Sequence, residues 1–102
     1  MIRHIVWWTL KEHAEGRSAA ENAQNLVNAS ATLHGIPAVR SVEVSCRIQP
    51  TSTVPAQVVL QSSHDDMAAL KAYAEDPVHL EFAAKVKAVC SSRQALDYSV
   101  EE

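Results

Sequence analysis

Glycine is scarce in this chain, with two residues in 102. Gly16 and Gly35 cannot build a glycine-rich phosphate loop, and no GxSxG nucleophile motif is present. Two cysteines, Cys46 and Cys90, lie far apart and form neither a CxxC pair nor a Cys/His cluster. They are expected as small buried thiols, not as a disulfide or metal ligands. No His/Asp/Glu spacing has the regularity of a dedicated metal centre, and no cofactor is expected. Basic runs are missing too: Lys and Arg stand singly apart from the spaced pair Lys85 and Lys87, and the net charge is −3. That argues against nucleic acid and anionic membrane as partners. The apolar run near the start, Ile5-Val6-Trp7-Trp8, is too short to span a bilayer or form a signal-peptide core, so the expected location is cytoplasmic.

What remains is an ordinary globular composition, 47% hydrophobic and 21% charged. A chain of this size buries roughly 65% of its unfolded surface, enough for one core, and residues 1–102 are expected to form a single domain. The order of elements reads β-α-β-β-α-β. Residues 2–10 are rich in β-branched and aromatic types and predict a strand. Ser18 and Glu21 have capping-box spacing ahead of a helix to about Leu33, ended by Gly35-Ile36-Pro37. A strand over about 39–48 alternates Val42, Val44, Cys46 and Ile48 against polar neighbours. A polar loop follows, then a strand over 56–62. Ser63 and Asp66 are expected to cap a helix from about Asp65 to Glu75, a second helical piece runs from Pro77 to about Cys90, and a last strand covers Arg93 to Val100. This order predicts an α+β, ferredoxin-like fold with a four-stranded antiparallel sheet and helices on one face.

The break at Asp76-Pro77 is the most informative local feature. Proline cannot continue a helix but suits the first position of a new one, which makes Asp76 an N-cap and His79 the third helical residue. The imidazole then sits in a first turn, where the helix dipole disfavours its protonated form. His79 shares a stripe with Phe82, Ala83, Val86 and Cys90 and therefore faces inward. Such a ring serves equally as a core imidazole bonded to a backbone carbonyl and as a base or ligand contact. Tyr73 has the same two readings. His4 shares a strand face with Ile2, Val6, Trp8 and Leu10 and needs a hydrogen-bond partner if buried. Asp97 is expected either to pair with a basic group or to line the pocket. His13, His34 and His64 are expected in loops or at helix ends, with His64-Asp65-Asp66 a helix start.

Trp7 and Trp8 are strand neighbours and point to opposite faces, only one of which helices can cover. The other leaves an apolar patch that a second copy of the same sheet would cover, so a homodimer is expected. If the Trp8 face lies under the helices, His4 and His79 share one intramolecular pocket, the arrangement favoured here.

With the opening Met-Ile-Arg-His-Ile-Val, the helix ending before Ile36-Pro37, the motif Tyr73…Asp76-Pro77-Val78-His79…Phe82 and the closing Asp97-Tyr98, the chain resembles the stress-responsive dimeric α/β-barrel (Dabb) family over essentially its whole length. The resemblance implies two ferredoxin-like sheets facing each other across a dimer. It also implies a base at His79, an assisting phenol at Tyr73 and a pocket-lining histidine at His4, as in a polyketide cyclase of the family. Cyclase-type members carry aromatics along the first helix, where this chain has Ala23, Ala29 and Ala31. Two functions are therefore expected to compete. One is a cofactor-independent cyclase- or lyase-type enzyme acting on a small hydrophobic or aromatic carbonyl compound, and the other is a non-catalytic, stress-associated binding or structural dimer.

Overall fold

The computed structural model describes residues 1–101. The chain forms β1 (Ile2–Leu10), a small hairpin of β2 (His13–Ala14) and β3 (Arg17–Ser18), and α1 (Ala19–Ala29), which runs into a 3₁₀ turn at Ser30–Gly35. It continues through β4 (Ser41–Ser45), β5 (Val58–His64), α2 (Met67–Glu75), α3 (Pro77–Val89) and β6 (Cys90–Ser99). The main sheet has strand order β4-β5-β1-β6, with every neighbouring pair antiparallel. This is the expected α+β, ferredoxin-like arrangement.

The sheet's pleat divides β1 cleanly. Val6, Trp8 and Leu10 are buried in the core with Val58 and Leu60 of β5 and the helical residues Leu26, Tyr73, Phe82 and Val86. Trp7 and Ile5 turn to the face without helices, beside Val59 of β5 and Leu96 of β6. Leu96 is 54% exposed there, so this face carries an uncovered apolar patch. The Trp8 face is thus the one that meets the helices.

Several element ends differ from those read in the sequence. The capping box at Ser18 and Glu21 forms as expected, but the α-helix tightens into 3₁₀ geometry after Ala29. A small hairpin without a clear sequence signal precedes it, and its turn takes Glu15 and Gly16 at φ 54° and 73°, the left-handed region that glycine enters without strain. Ser63 is not a cap: it pairs with Arg3 and Ser41 within β5, and Asp66 alone caps α2 through the Ala69 N–H. β5 extends to His64, and β6 begins at Cys90 instead of Arg93. Cys46 and Cys90 are free thiols, each half-buried.

Candidate functional site

Proline dictates how the site is built. Pro77 lacks an N–H and starts α3 abruptly, with Asp76 accepting the Val78 N–H at 2.8 Å. In an unbroken helix that N–H would bond to the carbonyl of Ala74. Freed by the break, the Ala74 carbonyl instead accepts from His79 Nδ1 at 3.1 Å. The ring is thereby tied back to the end of α2, and its apolar stripe-mates Phe82, Ala83 and Val86 on α3, with Cys90 just past the helix end, line the same space.

Between this stripe and the inner face of β1 and β6 lies a cavity of about 430 Å³. Val6, Trp8, Leu60, Phe82 and Val86 supply its apolar walls; His4, Tyr73 and His79 supply polar groups. The three residues selected from the sequence therefore line one space, although they come from β1, α2 and α3.

Because a carbonyl can only accept, the neutral His79 ring carries its proton on Nδ1 and has its lone pair on Nε2. No protein group among the described residues bonds Nε2. Burial lowers the pKa of His79, with smaller contributions in the same direction from the charges of His4 and Arg93, while the Ala74 bond and Asp76 oppose them. The imidazole is accordingly held in its neutral, basic form at pH 7.

Tyr73 is 1% exposed and is surrounded by imidazoles. Its ring centroid is 4.6 Å from that of His79, 4.8 Å from that of His64 and 6.4 Å from that of His4, the last in an edge-on arrangement. Its hydroxyl and the indole Nε1 of Trp8 are buried and have no hydrogen-bond partner among the described residues. Burial pushes the phenol pKa up to about 12, so the group is an O–H donor throughout the physiological range. A buried donor without a partner costs roughly 1–3 kcal/mol, which a ligand acceptor that reached it would recover.

His4 answers the partner question posed by its strand. Its Nδ1 lies 2.5 Å from Asp97 Oδ1, directly across the β1–β6 ladder. Asp97 is thus the basic group's partner, and a carboxylate that can only accept fixes the His4 proton on Nδ1.

His64 is the residue that the sequence reading misplaced. It is fully buried at the end of β5, where Nδ1 donates to the Ala38 carbonyl and Nε2 accepts from the Ser62 hydroxyl, both at 2.9 Å. Burial lowers its pKa. With both nitrogens used internally it stands behind Tyr73 as a support, outside the cavity lining. His13 and His34 are exposed, one in the hairpin and one in the 3₁₀ turn, and take no part in the site. Among the described residues no group of three or more His, Cys, Asp or Glu is placed to hold a metal ion, and no helix is long and apolar enough to cross a membrane.

A ferredoxin-like sheet with a sheet-to-helix cavity and a Tyr/Asp-Pro/His corner defines a class, and comparison with known proteins shows which. The stress responsive A/B barrel domain (Dabb) model matches residues 2–100, and the chain belongs to that family. Among solved structures, a Dabb family protein with a ferredoxin-like fold from Mesorhizobium loti is 27% identical, at TM-score 0.75 over 99% of this chain and 97% of that one. A dimeric ferredoxin-like protein of unknown function from Bacteroides fragilis is 24% identical, at TM-score 0.76 over 97% and 95%. A hydroxynitrile lyase from Passiflora edulis shares the fold at 18% identity, with TM-score 0.75 over 99% and 94%. No curated protein matches the chain.

Proposed function

We propose that this protein is a homodimer that binds a small hydrophobic or aromatic carbonyl compound in the cavity and acts on it without a cofactor, using His79 as general base. The observation that carries this reading is the His79–Ala74 bond, which leaves Nε2 as an unshared lone pair beside a buried, partnerless phenol. Nε2 takes a proton from the carbon α to the carbonyl. The C–H electron pair passes into the enolate, and the Tyr73 O–H donates a hydrogen bond to the enolate oxygen as charge develops. The resulting imidazolium keeps its Nδ1–H on the Ala74 carbonyl, and His4, fixed by Asp97, orients the substrate. The lyase named among the structures of this fold is consistent with chemistry of this kind on the scaffold. Dimeric relatives and the uncovered Trp7 face support the homodimer.

Proton exchange tests the reading directly. Phenylacetone in D₂O, followed by ¹H NMR, is expected to lose its α-protons faster with the protein present. His79→Ala is expected to reduce that acceleration by about 10²–10⁴-fold. Binding of the ketone without accelerated exchange would instead establish the non-catalytic binding dimer.

A further inference from the structure

One corner of the cavity has a charge pattern that proton abstraction does not require. Lys87, in the last turn of α3, and Arg93, the fourth residue of β6, both line the cavity, together with Ser91 and Ser92 of the strand between them. Neither cation has a carboxylate within ion-pair distance among the described residues. Asp97, on the same face of β6 as Arg93, is already taken up by His4. A third cation stands close by: the Lys11 ammonium reaches the Ala88 carbonyl at 3.5 Å, and its charge acts on the Cys90 thiol. In a chain of net charge −3, two cations on the wall of an apolar cavity, with Lys11 outside the lining but within charge range of Cys90, form a local field of the opposite sign.

We infer that the ligand of this cavity carries a carboxylate, bound between Arg93 and Lys87. Its apolar or aromatic body lies on Trp8, Phe82 and Val86, and an acceptor oxygen turns toward Tyr73. The inference rests on the cavity being a ligand site, as proposed above, and adds the chemical class of what enters it. The planar guanidinium of Arg93 presents paired N–H donors that match a carboxylate, and the Lys87 ammonium adds a further donor. A phosphate dianion fits this corner less well. The corner lies at the C-terminal end of α3, where the helix dipole is negative and no free backbone N–H groups are gathered. A monoanion on an apolar body matches both the charge and the walls. Arg93 and Lys87 then act as specificity determinants, anchoring one end of the molecule while His79 and Tyr73 address the other.

The test compares 1-naphthoate with its neutral near-isostere 1-naphthamide by titration calorimetry at low ionic strength. Naphthoate is expected to bind about tenfold more tightly, a preference that shrinks in high salt. Arg93→Gln and Lys87→Gln are each expected to remove most of the preference. Lys85→Gln alters the net charge equally but sits on the opposite side of α3, and is expected to keep the preference. Equal affinity for acid and amide would overturn the carboxylate assignment and leave the cavity reading standing. So would a preference that survives both cavity substitutions. If neither compound binds, the cavity reading fails and the inference falls with it.

Discussion

His79 and Ala74 are joined across the break between two helices: the Nδ1 of one lies 3.1 Å from the carbonyl oxygen of the other. The bond exists because Pro77 and the Asp76 cap divert the Val78 N–H that would otherwise claim that carbonyl. Helix geometry, capping and the choice of ring tautomer are therefore one linked arrangement.

Removing the cap should show this linkage. Asp76→Ala is expected to cost about 1 kcal/mol of stability in urea titration. It is also expected to slow proton exchange, because Val78 and the Ala74 carbonyl are then free to re-pair. Asp76→Asn, which retains a capping oxygen, is expected to stay near the parent in both. Equal loss in the two variants would mean that the carboxylate acts by charge and not as a cap.

Tyr73→Phe should separate stability from function. The hydroxyl has no partner among the described residues, so its removal is expected to leave stability unchanged or raise it by up to about 1 kcal/mol, while exchange activity falls. A clear loss of stability in urea titration would show that the hydroxyl is satisfied in the folded protein.

The sequence carried the site further than it carried the strand ends. The Asp76-Pro77 break, the inward stripe from His79 to Cys90 and the opposed tryptophans are local patterns, and each survives in the structure because proline chemistry and backbone periodicity act over a few residues. His64 was missed for a different reason. Gln61-Ser62-Ser63-His64 is polar, and polar residues beside Asp65-Asp66 read as a helix start. What makes the segment a strand is tertiary: pairing with Ile2–His4 on one side, and the Ala38 carbonyl from 26 residues away to satisfy the ring. Ser91 and Ser92 hid the start of β6 in the same way, since only the ladder to Thr9 and Leu10 brings that end into the sheet. Lys87 and Arg93 carried no sequence signal as a pair, because helix and strand bring them together only at the cavity.

Two histidines, His64 fully buried and His79 half-buried, set the direction of the pH response. Burial lowers the pKa of both His64 and His79 below the ordinary value of 6.5. As pH falls past 6.5 the unfolded chain takes up these protons before the folded one does, so the unfolded state binds more protons in that window. Stability is therefore expected to be full above the unfolded pKa and to decline as pH falls toward and through the depressed folded values. Urea midpoints measured across the mildly acidic range check this, and His64→Gln is expected to flatten the slope. Stability that rises on mild acidification would contradict the burial of neutral rings.

Trp7 tests the proposed dimer. It lies on the face without helices, beside Ile5, Val59 and Leu96, where a second sheet would bury it. Trp7→Glu is expected to give unfolded or aggregated protein instead of a stable monomer, read by circular dichroism and light scattering. A well-folded monomer of the unmutated protein at micromolar concentration would remove the homodimer.

The most direct measurement is the protonation state of His79 itself, read from long-range ¹H–¹⁵N correlations of the imidazole at neutral pH. A base held by the Ala74 carbonyl should appear as a neutral ring with its proton on Nδ1 and an unprotonated Nε2. A proton found on Nε2, or an imidazolium persisting at neutral pH, would contradict the assignment of His79 as the base.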